Sequence, residues 1–499
     1  MARIVVIGAG MGAMTAAARL AVAGHRVVVY ERGRTYGGAL GRVERDGFAF
    51  DTGPGLLPLP AVYRDLFVKT GKEPLEQCVE LSQVEPAVRH VFAGGTTTDL
   101  PNASRAGVGE ALDAALGDGA GARWAAFMTR ARETWDRTRR PLLEEPLYPN
   151  WEVLGAREPY PAVPHKRLLR RERRAATLSE IGALELGGDA RLAALLEHSA
   201  LAHGLDPRAT PASAAVLPYM EQTFGTWSVR GGLRALATAV YERCLARRVE
   251  FVFDAPVVRI VEKDGRAAGV ELADGTTADA DFVVAGVAPT VLSWLTSGVN
   301  IRSEGDVPAR TGMPSRLTVL LALSGARPEG TPHRTVLHSA DRQDELDRLF
   351  GERPGLPASP TVTVLRPDDP ELTPDGAHEA VTLTVTVPAH LEVSPADVER
   401  VISRAEAAIP GLRERLLWHE ARTPADIAQA TGAEGGAVPA PALAAAGGSL
   451  LHPANSTRLP GLFAVGGWSH PGGGLPHAGM SGALVAGLIV EGPEFRGSQ

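Results

Sequence analysis

Residues Arg3–Glu31, RIVVIGAGMGAMTAAARLAVAGHRVVVYE, leave the chain few folds to choose from. Ile4–Ile7 is β-branched throughout and reads as a buried strand, and Gly8-Ala9-Gly10-Met11-Gly12-Ala13 follows at once, opening an Ala-rich helical run. A second strand, Arg26–Tyr30, ends on Glu31. In such a strand–turn–helix–strand unit Gly8 allows the tight turn and Gly10 lets the backbone approach a pyrophosphate. Position 13 must be small where helix meets strand, and Ala13 satisfies that. Backbone N–H groups at the helix start, around Met11, Gly12 and Ala13, would carry the pyrophosphate where the helix dipole favours negative charge. Glu31, 23 residues after Gly8, is then placed to accept hydrogen bonds from an adenosine ribose.

The remaining bounds are consistent with a multi-domain enzyme that handles a dinucleotide. At 499 residues, 44% hydrophobic and 22% charged, the chain is long enough for two or three domains with sizeable cores. A net charge of −7 argues against a nucleic-acid partner, which wants a basic face. Two cysteines, Cys78 and Cys244, lie far apart with no C-x-x-C, so neither a zinc site nor a redox dithiol is expected, and a reducing cytoplasm is the expected setting. The first strand begins within three residues of Met1, which leaves no room for a signal peptide, and no apolar run approaches the roughly 18 residues of a membrane span.

After Glu31 come Arg32, the pair Gly37-Gly38, and then Gly47-Phe48-Ala49-Phe50-Asp51-Thr52-Gly53-Pro54. This run resembles the FAD proteins of the amine oxidase and phytoene desaturase superfamily, which follow a Rossmann unit with E-x(4–6)-G-G and G-F-x-F-D-x-G. The resemblance implies that Gly37 and Gly38 approach the phosphate and ribose of FAD. The family usually has Arg after the pair, where this chain has Ala39, leaving Arg42 and Arg32 as candidates for the missing charge. Further matches are Trp227 with Gly231-Gly232-Leu233, the strand Val257–Val261 (with Val258 meeting the adenine), and Asp281–Gly286. The sharpest is Leu459–Pro476, LPGLFAVGGWSHPGGGLP, similar to the closing motif of the phytoene desaturases. There Gly466, Gly467, Gly474, Leu475 and Pro476 would bring backbone and a helix N-terminus to the flavin ring, where negative charge collects on reduction. Trp468 and His477 replace residues that are usually small.

The implied fold is α/β: a discontinuous, glutathione reductase-like FAD domain with an α+β substrate domain of antiparallel sheet plus helices. Its expected division is 1–61, 218–289 and 452–499 for the FAD domain, with 62–217 as the helical part and 290–451 as the sheet part of the substrate domain. Strands are expected at Arg316–Leu323, Thr361–Leu365 and Ala380–Val387, a helix near Ala396–Ile409, and mobility in the Ala/Gly-rich stretch Ala433–Gly448. What the resemblance implies in function is desaturation of a polyisoprenoid by hydride transfer to flavin N5, with electrons leaving to oxygen or a quinone. The alternatives are a flavin amine oxidase, a terpenoid saturase, isomerase or oxygenase, and a non-enzymatic prenyl-binding protein of the Rab escort type. No catalytic residue is assigned, because the flavin carries the chemistry. Glu221 and His470 are the polar groups nearest the flavin motifs, in either a structural or a proton-transfer role, and Trp227 and Trp468 are placed in the substrate pocket. Lys166–Arg174 holds six cations in nine residues and reads either as a patch that docks the protein peripherally on the inner membrane face or as a solvated helix face.

Overall fold

A computed structural model describes residues 1–149, 151–164, 172–298 and 313–497. Most of the basic run Lys166–Arg174 falls outside these residues.

Five parallel strands form the first sheet, in the order Glu250–Val252, Arg26–Tyr30, Arg3–Ile7, Phe282–Ala285, Leu462–Ala464. The alternation of Arg3–Ile7 decides which layer each side chain joins: Ile4 and Val6 enter a core shared with the helices Met11–Val22, Leu233–Ala246 and Leu475–Val490. Val5 and Ile7 enter a second core on the opposite face, under the antiparallel strands Val257–Lys263, Arg266–Leu272 and Thr277–Asp279. Both faces of the sheet are covered, which is why its strands read as continuous β-branched runs.

The helices Met11–Val22 and Leu475–Val490 meet at backbone contact. A Cβ on Gly482 would stand 2.6 Å from the carbonyl oxygen of Gly12, and one on Gly12 would stand 2.8 Å from the Cα of Gly466. Ala13, Ala16, Ala17 and Ala18 are almost wholly buried along the first helix, so its small residues set the closeness of this packing.

The second sheet has seven strands, in the order Leu416–Arg422, Pro314–Ser324, His378–Pro388, Val362–Leu365, Arg334–Leu337, Val88–Val91, Thr97–Leu100. Neighbours are antiparallel except at Arg334–Leu337 and Val88–Val91. Leu317, Val319, Leu321 and Leu323 face the helix Pro395–Ala405 with Val381, Leu383 and Val385. On the other face Leu320, Ala322 and Ala380 meet Phe48 and Phe50 of the Arg42–Asp51 hairpin, whose rings make edge contacts with Trp418 at 5.7 and 5.6 Å. A helical layer containing Trp124, Phe127, Leu192 and Leu196 packs against Val88 and Val336 of the same sheet.

Three expectations need correction. Residues 62–217 are not purely helical, since Leu81–Gln83, Val88–Val91 and Thr97–Leu100 are strands. These segments are three or four residues long with polar residues side by side instead of alternating, so local pattern carries little signal; Leu81–Gln83 pairs with Thr226–Val229 and Val88–Val91 with Arg334–Leu337, far along the chain. The packing also does not change at residue 61: Tyr63, Leu66 and Phe67 of the helix Ala61–Gly71 are buried in the core of the parallel sheet. Finally, the Ala433–Gly448 stretch is packed, not loose, with Ala440, Leu443 and Ala444 buried and its backbone bonded to Pro471 and Gly473 of the closing loop. Its small side chains permit that close approach. Two strands not expected from the sequence, Arg334–Leu337 and Leu416–Arg422, complete the large sheet. Among the described residues no helix is long and apolar enough to cross a membrane.

Placing Val at Gly482 drives a side chain into the backbone of the first helix. Chemical denaturation should show a loss of about 1–3 kcal/mol; an unchanged midpoint would mean the two helices can part without cost.

Candidate active site

The cradle begins where the first strand turns into the first helix. A Cβ on Gly8 would lie 3.1 Å from the carbonyl oxygen of Gly286, and one on Gly286 3.0 Å from the Cβ of Ala13, so the turn, the helix and the fourth-listed strand of the sheet interlock through small residues. Gly10 caps the helix without a side chain, and a Cβ there would meet no protein atom within 4 Å. Gly37 pairs with Gly10, donating its N–H to the carbonyl of Ala9 at 2.8 Å, and a Cβ on Gly38 would stand 3.0 Å from the Cα of Gly10. Gly37 and Gly38 have φ of +105° and +59°, a region that only glycine enters freely. Glu31 is fixed at the lip of this cradle, one carboxylate oxygen accepting the N–H of Ala9 at 2.7 Å and the other that of Gly33 at 2.8 Å. Val258 lies half-buried in Val257–Lys263.

Neither candidate for the missing arginine is free to move into that role without giving up a bond. Arg32 donates to the carbonyls of Gln429 and Ala430 at 2.8 and 2.9 Å, at the C-terminal end of the helix Pro424–Thr431, where a cation opposes the helix dipole. Arg42 donates to the carbonyl of Gly231 at 3.0 Å and pairs with Glu44. The loop that carries Ala39 is instead organised by Arg234, which sequence reasoning missed. Its guanidinium donates to the carbonyls of Tyr36 and Leu40 and to Thr35, and lies 4.2 Å from the centroid of the Tyr36 ring.

Arg234 is itself placed by the G-F-x-F-D segment. Asp51 accepts the N–H groups of Leu233 at 2.5 Å and Arg234 at 3.1 Å, capping the helix Leu233–Ala246 from a distant part of the chain. Burial pushes the Asp51 carboxyl up to about 6 in spite of those two bonds. A Cβ on Gly232 would stand 2.5 Å from an Asp51 oxygen, and Gly231 donates its N–H to Asp369 at 2.6 Å. Gly232 thus leaves room for the Asp51 carboxylate, while the N–H of Gly231 engages that of Asp369.

The closing loop follows the strand Leu462–Ala464. Gly466 donates its N–H to Ser481 at 2.9 Å, and a Cβ on Gly467 would press on Pro439 at 2.9 Å. Gly474 opens the helix Leu475–Val490 without a side-chain cap, and Pro476 in its first turn brings no N–H. The carbonyl of Leu475 accepts the hydroxyl of the buried Tyr63 at 2.9 Å. Asn455, also missed from the sequence, is the fastener of the loop: its amide nitrogen reaches the carbonyls of Ala464 at 3.1 Å and His470 at 2.8 Å.

The four expected pocket residues are held differently. His470 is wholly buried and shares a hydrogen of its Nε2 with the carbonyl of Glu145 at 2.9 Å, and burial lowers it to about 4, so at neutral pH it is an uncharged tie between the loop and the helical layer. Glu221 forms an ion pair with Arg334 of the large sheet. Trp227 donates its indole N–H to the carbonyl of Phe224 at 3.3 Å and lies 5.2 Å from the guanidinium of Arg64, against the core of the parallel sheet. Trp468 is half-buried in the loop, with no ring partner among the described residues. A solvent-open cleft separates the Asp51–Gly55 turn from Leu365 and Thr382 of the large sheet, with Glu80, Arg230 and Asp368 among its charged walls.

These residues fit a flavin dinucleotide. Two helices start without a side-chain cap, at Gly10 and Gly474, while the neighbouring helix at Gly232 has its first N–H groups taken by Asp51. The free N–H groups of the first suit a pyrophosphate, those of the second suit the electron-rich end of a flavin ring, and Glu31 suits a ribose.

Such an arrangement defines an FAD-dependent oxidoreductase. The chain belongs to the family of flavin containing amine oxidoreductases, whose model matches residues 14–490. It is 29% identical over 504 residues to the 4,4'-diapolycopene oxygenase of Methylomonas sp, with 98% of each chain covered. It is 29% identical to the hydroxyneurosporene desaturase of Rubrivivax gelatinosus, covering 98% of this chain and 93% of the relative. Among solved structures, an oxidoreductase from Methanosarcina mazei shares the fold with a TM-score of 0.64 at 18% identity, covering 97% of this chain and 99% of that one.

Gly10→Val separates ligand from fold. Because the new side chain meets no protein atom within 4 Å of its Cβ, the variant should fold with an unchanged circular dichroism spectrum yet purify colourless, with less than about a tenth of the wild-type flavin. A yellow variant at full occupancy would show that the pyrophosphate lies elsewhere.

Proposed function

We propose that the protein desaturates a polyisoprenoid of the phytoene or carotenoid class. FAD, when bound, would supply the oxidant that accepts a hydride from an allylic carbon, and the proton released from the adjacent carbon to complete the double bond would pass to solvent. What this chain contributes is position and exclusion of water. Gly466, Gly467 and Gly474 let backbone reach the ring edge, and the closing helix directs its N-terminus there, while Gly8, Gly10, Met11, Gly12, Ala13, Glu31, Gly37, Gly38 and Val258 hold the adenosine half. Arg32 and Ala39 flank that half without adding a charge contact.

The observation that supports this reading is that neither Glu221 nor His470, the polar candidates expected near the closing loop, is set up as a strong proton acceptor. His470 is uncharged and bonded to a backbone carbonyl, and Glu221 is neutralised by Arg334. A reaction whose bond-breaking falls to the flavin and whose intermediate is stabilised by conjugation tolerates this; the hydroxyneurosporene desaturase named above points the same way. Trp468 walls the apolar chain's path beside the ring. Reduced flavin passes its electrons to oxygen or to a membrane quinone, and the protein works in the cytoplasm, peripherally at the inner membrane face where such a substrate dissolves.

The test is incubation of FAD-loaded protein with phytoene in liposomes, with and without quinone, followed by chromatography. Products with added conjugated double bonds and no added oxygen are expected, and Trp468→Gly should change how far desaturation proceeds while leaving flavin bound. Products carrying oxygen would assign an oxygenase instead, and an unchanged product pattern in Trp468→Gly would take that ring out of the path.

A further inference from the structure

The face of the large sheet that meets the Phe48 and Phe50 rings turns polar further along. Alternation in Pro314–Ser324 puts Arg316 and Thr318 on the same face as Leu320 and Ala322, opposite Leu317 and Val319. Register sets Thr386 beside Arg316, and Thr384 between Thr318 and Thr363. The solvent-open cleft reaches this face at Thr382, and Thr386 lies on the same face about 13 Å further along the strand. Arg316 and these threonines are all half-buried, so the row between is open to water and not packed shut. Its inner end is tied to the closing loop: the carbonyl of Pro314 accepts the N–H of Val438 at 3.0 Å, and the adjoining Pro439 lies against Gly467.

Arg316 is the anomaly in this row. It lies deep in the molecule, and desolvation lowers its guanidinium from the ordinary arginine value. Among the described residues two other arginines are lowered in the same way, and each faces an acid that offsets the burial, Asp368 for Arg327 and Glu345 for Arg404. No acid does so for Arg316, which among the described residues forms no ion pair. It donates to the carbonyl of Ala202 at 2.9 Å, at the end of the helix Ala190–Ala202, where the neighbouring carbonyl of Leu201 accepts the Thr386 hydroxyl at 2.9 Å. A helix C-terminus presents only about half a negative charge, and a cation held in the interior is costly until an anion pairs with it. The next arginine on this face, Arg334, is already paired with Glu221. A lone guanidinium fork matches a planar carboxylate through two parallel bonds, and threonine hydroxyls can donate to the lone pairs left over; a phosphate dianion would call for a second free cation.

We propose that Arg316 is a subsite for a carboxylate borne on an apolar chain, reached along this face from the cleft. The apolar body rests on the reading of the substrate as a polyisoprenoid, whereas the carboxylate rests on the unpaired guanidinium, so the two can be tested apart.

The experiment measures partition of a long-chain prenyl carboxylic acid, at a pH where it is ionised, and separately its methyl ester, from phosphatidylcholine liposomes to the FAD-loaded protein. The same lipid serves every variant, so a change in the acid-to-ester ratio reports the protein. Arg316→Gln should lower that ratio about tenfold, the worth of one charge-assisted hydrogen bond, and Arg316→Lys, which keeps the charge, should hold most of it. Flavin content and melting temperature check that each variant is folded. If Arg316→Gln does not fold, Thr318→Val and Thr384→Val, which leave the bond to the helix end in place, are read by the same ratio, and each should lower it about twofold. A ratio that no folded variant moves would overturn the site. An unmoved ratio together with a shifted flavin midpoint potential in Arg316→Gln would also overturn it, giving the charge to the cofactor. Failure of desaturation with the acid preference intact would overturn the proposed reaction and leave this site standing.

Discussion

Backbone contact between the first and last helices is the constraint on which the rest of the molecule depends. Gly12 and Gly482 face each other so closely that neither position has room for a Cβ, and Gly466 is held against the same turn. Two helix N-termini, more than 450 residues apart in sequence, are thereby fixed in relation to one another. Each lacks a side-chain cap, and each presents N–H groups that only a ligand or water can satisfy. The candidate cradle is thus a consequence of how the helices pack, and residues that tighten the packing act on it from a distance.

Around that contact the polar residues serve as fasteners. Asp51 spans from the hairpin to the start of Leu233–Ala246, Arg234 ties that helix to the Gly37-Gly38 loop, and Asn455 joins the strand Leu462–Ala464 to the cis-peptide turn at His470. Each is buried or half-buried and bonds to backbone, so its removal leaves unpaired carbonyl or N–H groups in a dry interior. Chemistry that needed a mobile proton carrier would be poorly served by such a site; chemistry performed by a cofactor needs the rigidity.

Much of this was legible in the sequence wherever the demand on a residue is local. The Gly8–Ala13 turn, the acid at Glu31 and the glycine pair at 37–38 are set by backbone geometry within a few residues, and the structure forms a cradle from them. The D-G turns after Lys263 and Ala273 form hairpins for the same reason. What could not be read was long-range. Asp51 and Leu233 are 182 positions apart, and nothing near either residue advertises the bond. The strand Val88–Val91 joins the large sheet through Arg334–Leu337, and the Ala/Gly-rich Ala433–Gly448 stretch owes its order to the loop it lies upon. The bond from His470 to the carbonyl of Glu145, 325 positions away, could likewise not be read from its neighbours in sequence.

Anaerobic mixing of the FAD-loaded protein with phytoene in liposomes, followed through the flavin's visible absorption band, observes the central step without any electron acceptor. Hydride transfer from the apolar chain to a flavin seated between the two uncapped helices predicts bleaching of that band in one turnover, slowed when the allylic hydrogens are replaced by deuterium. A band that persists with the substrate bound would contradict it.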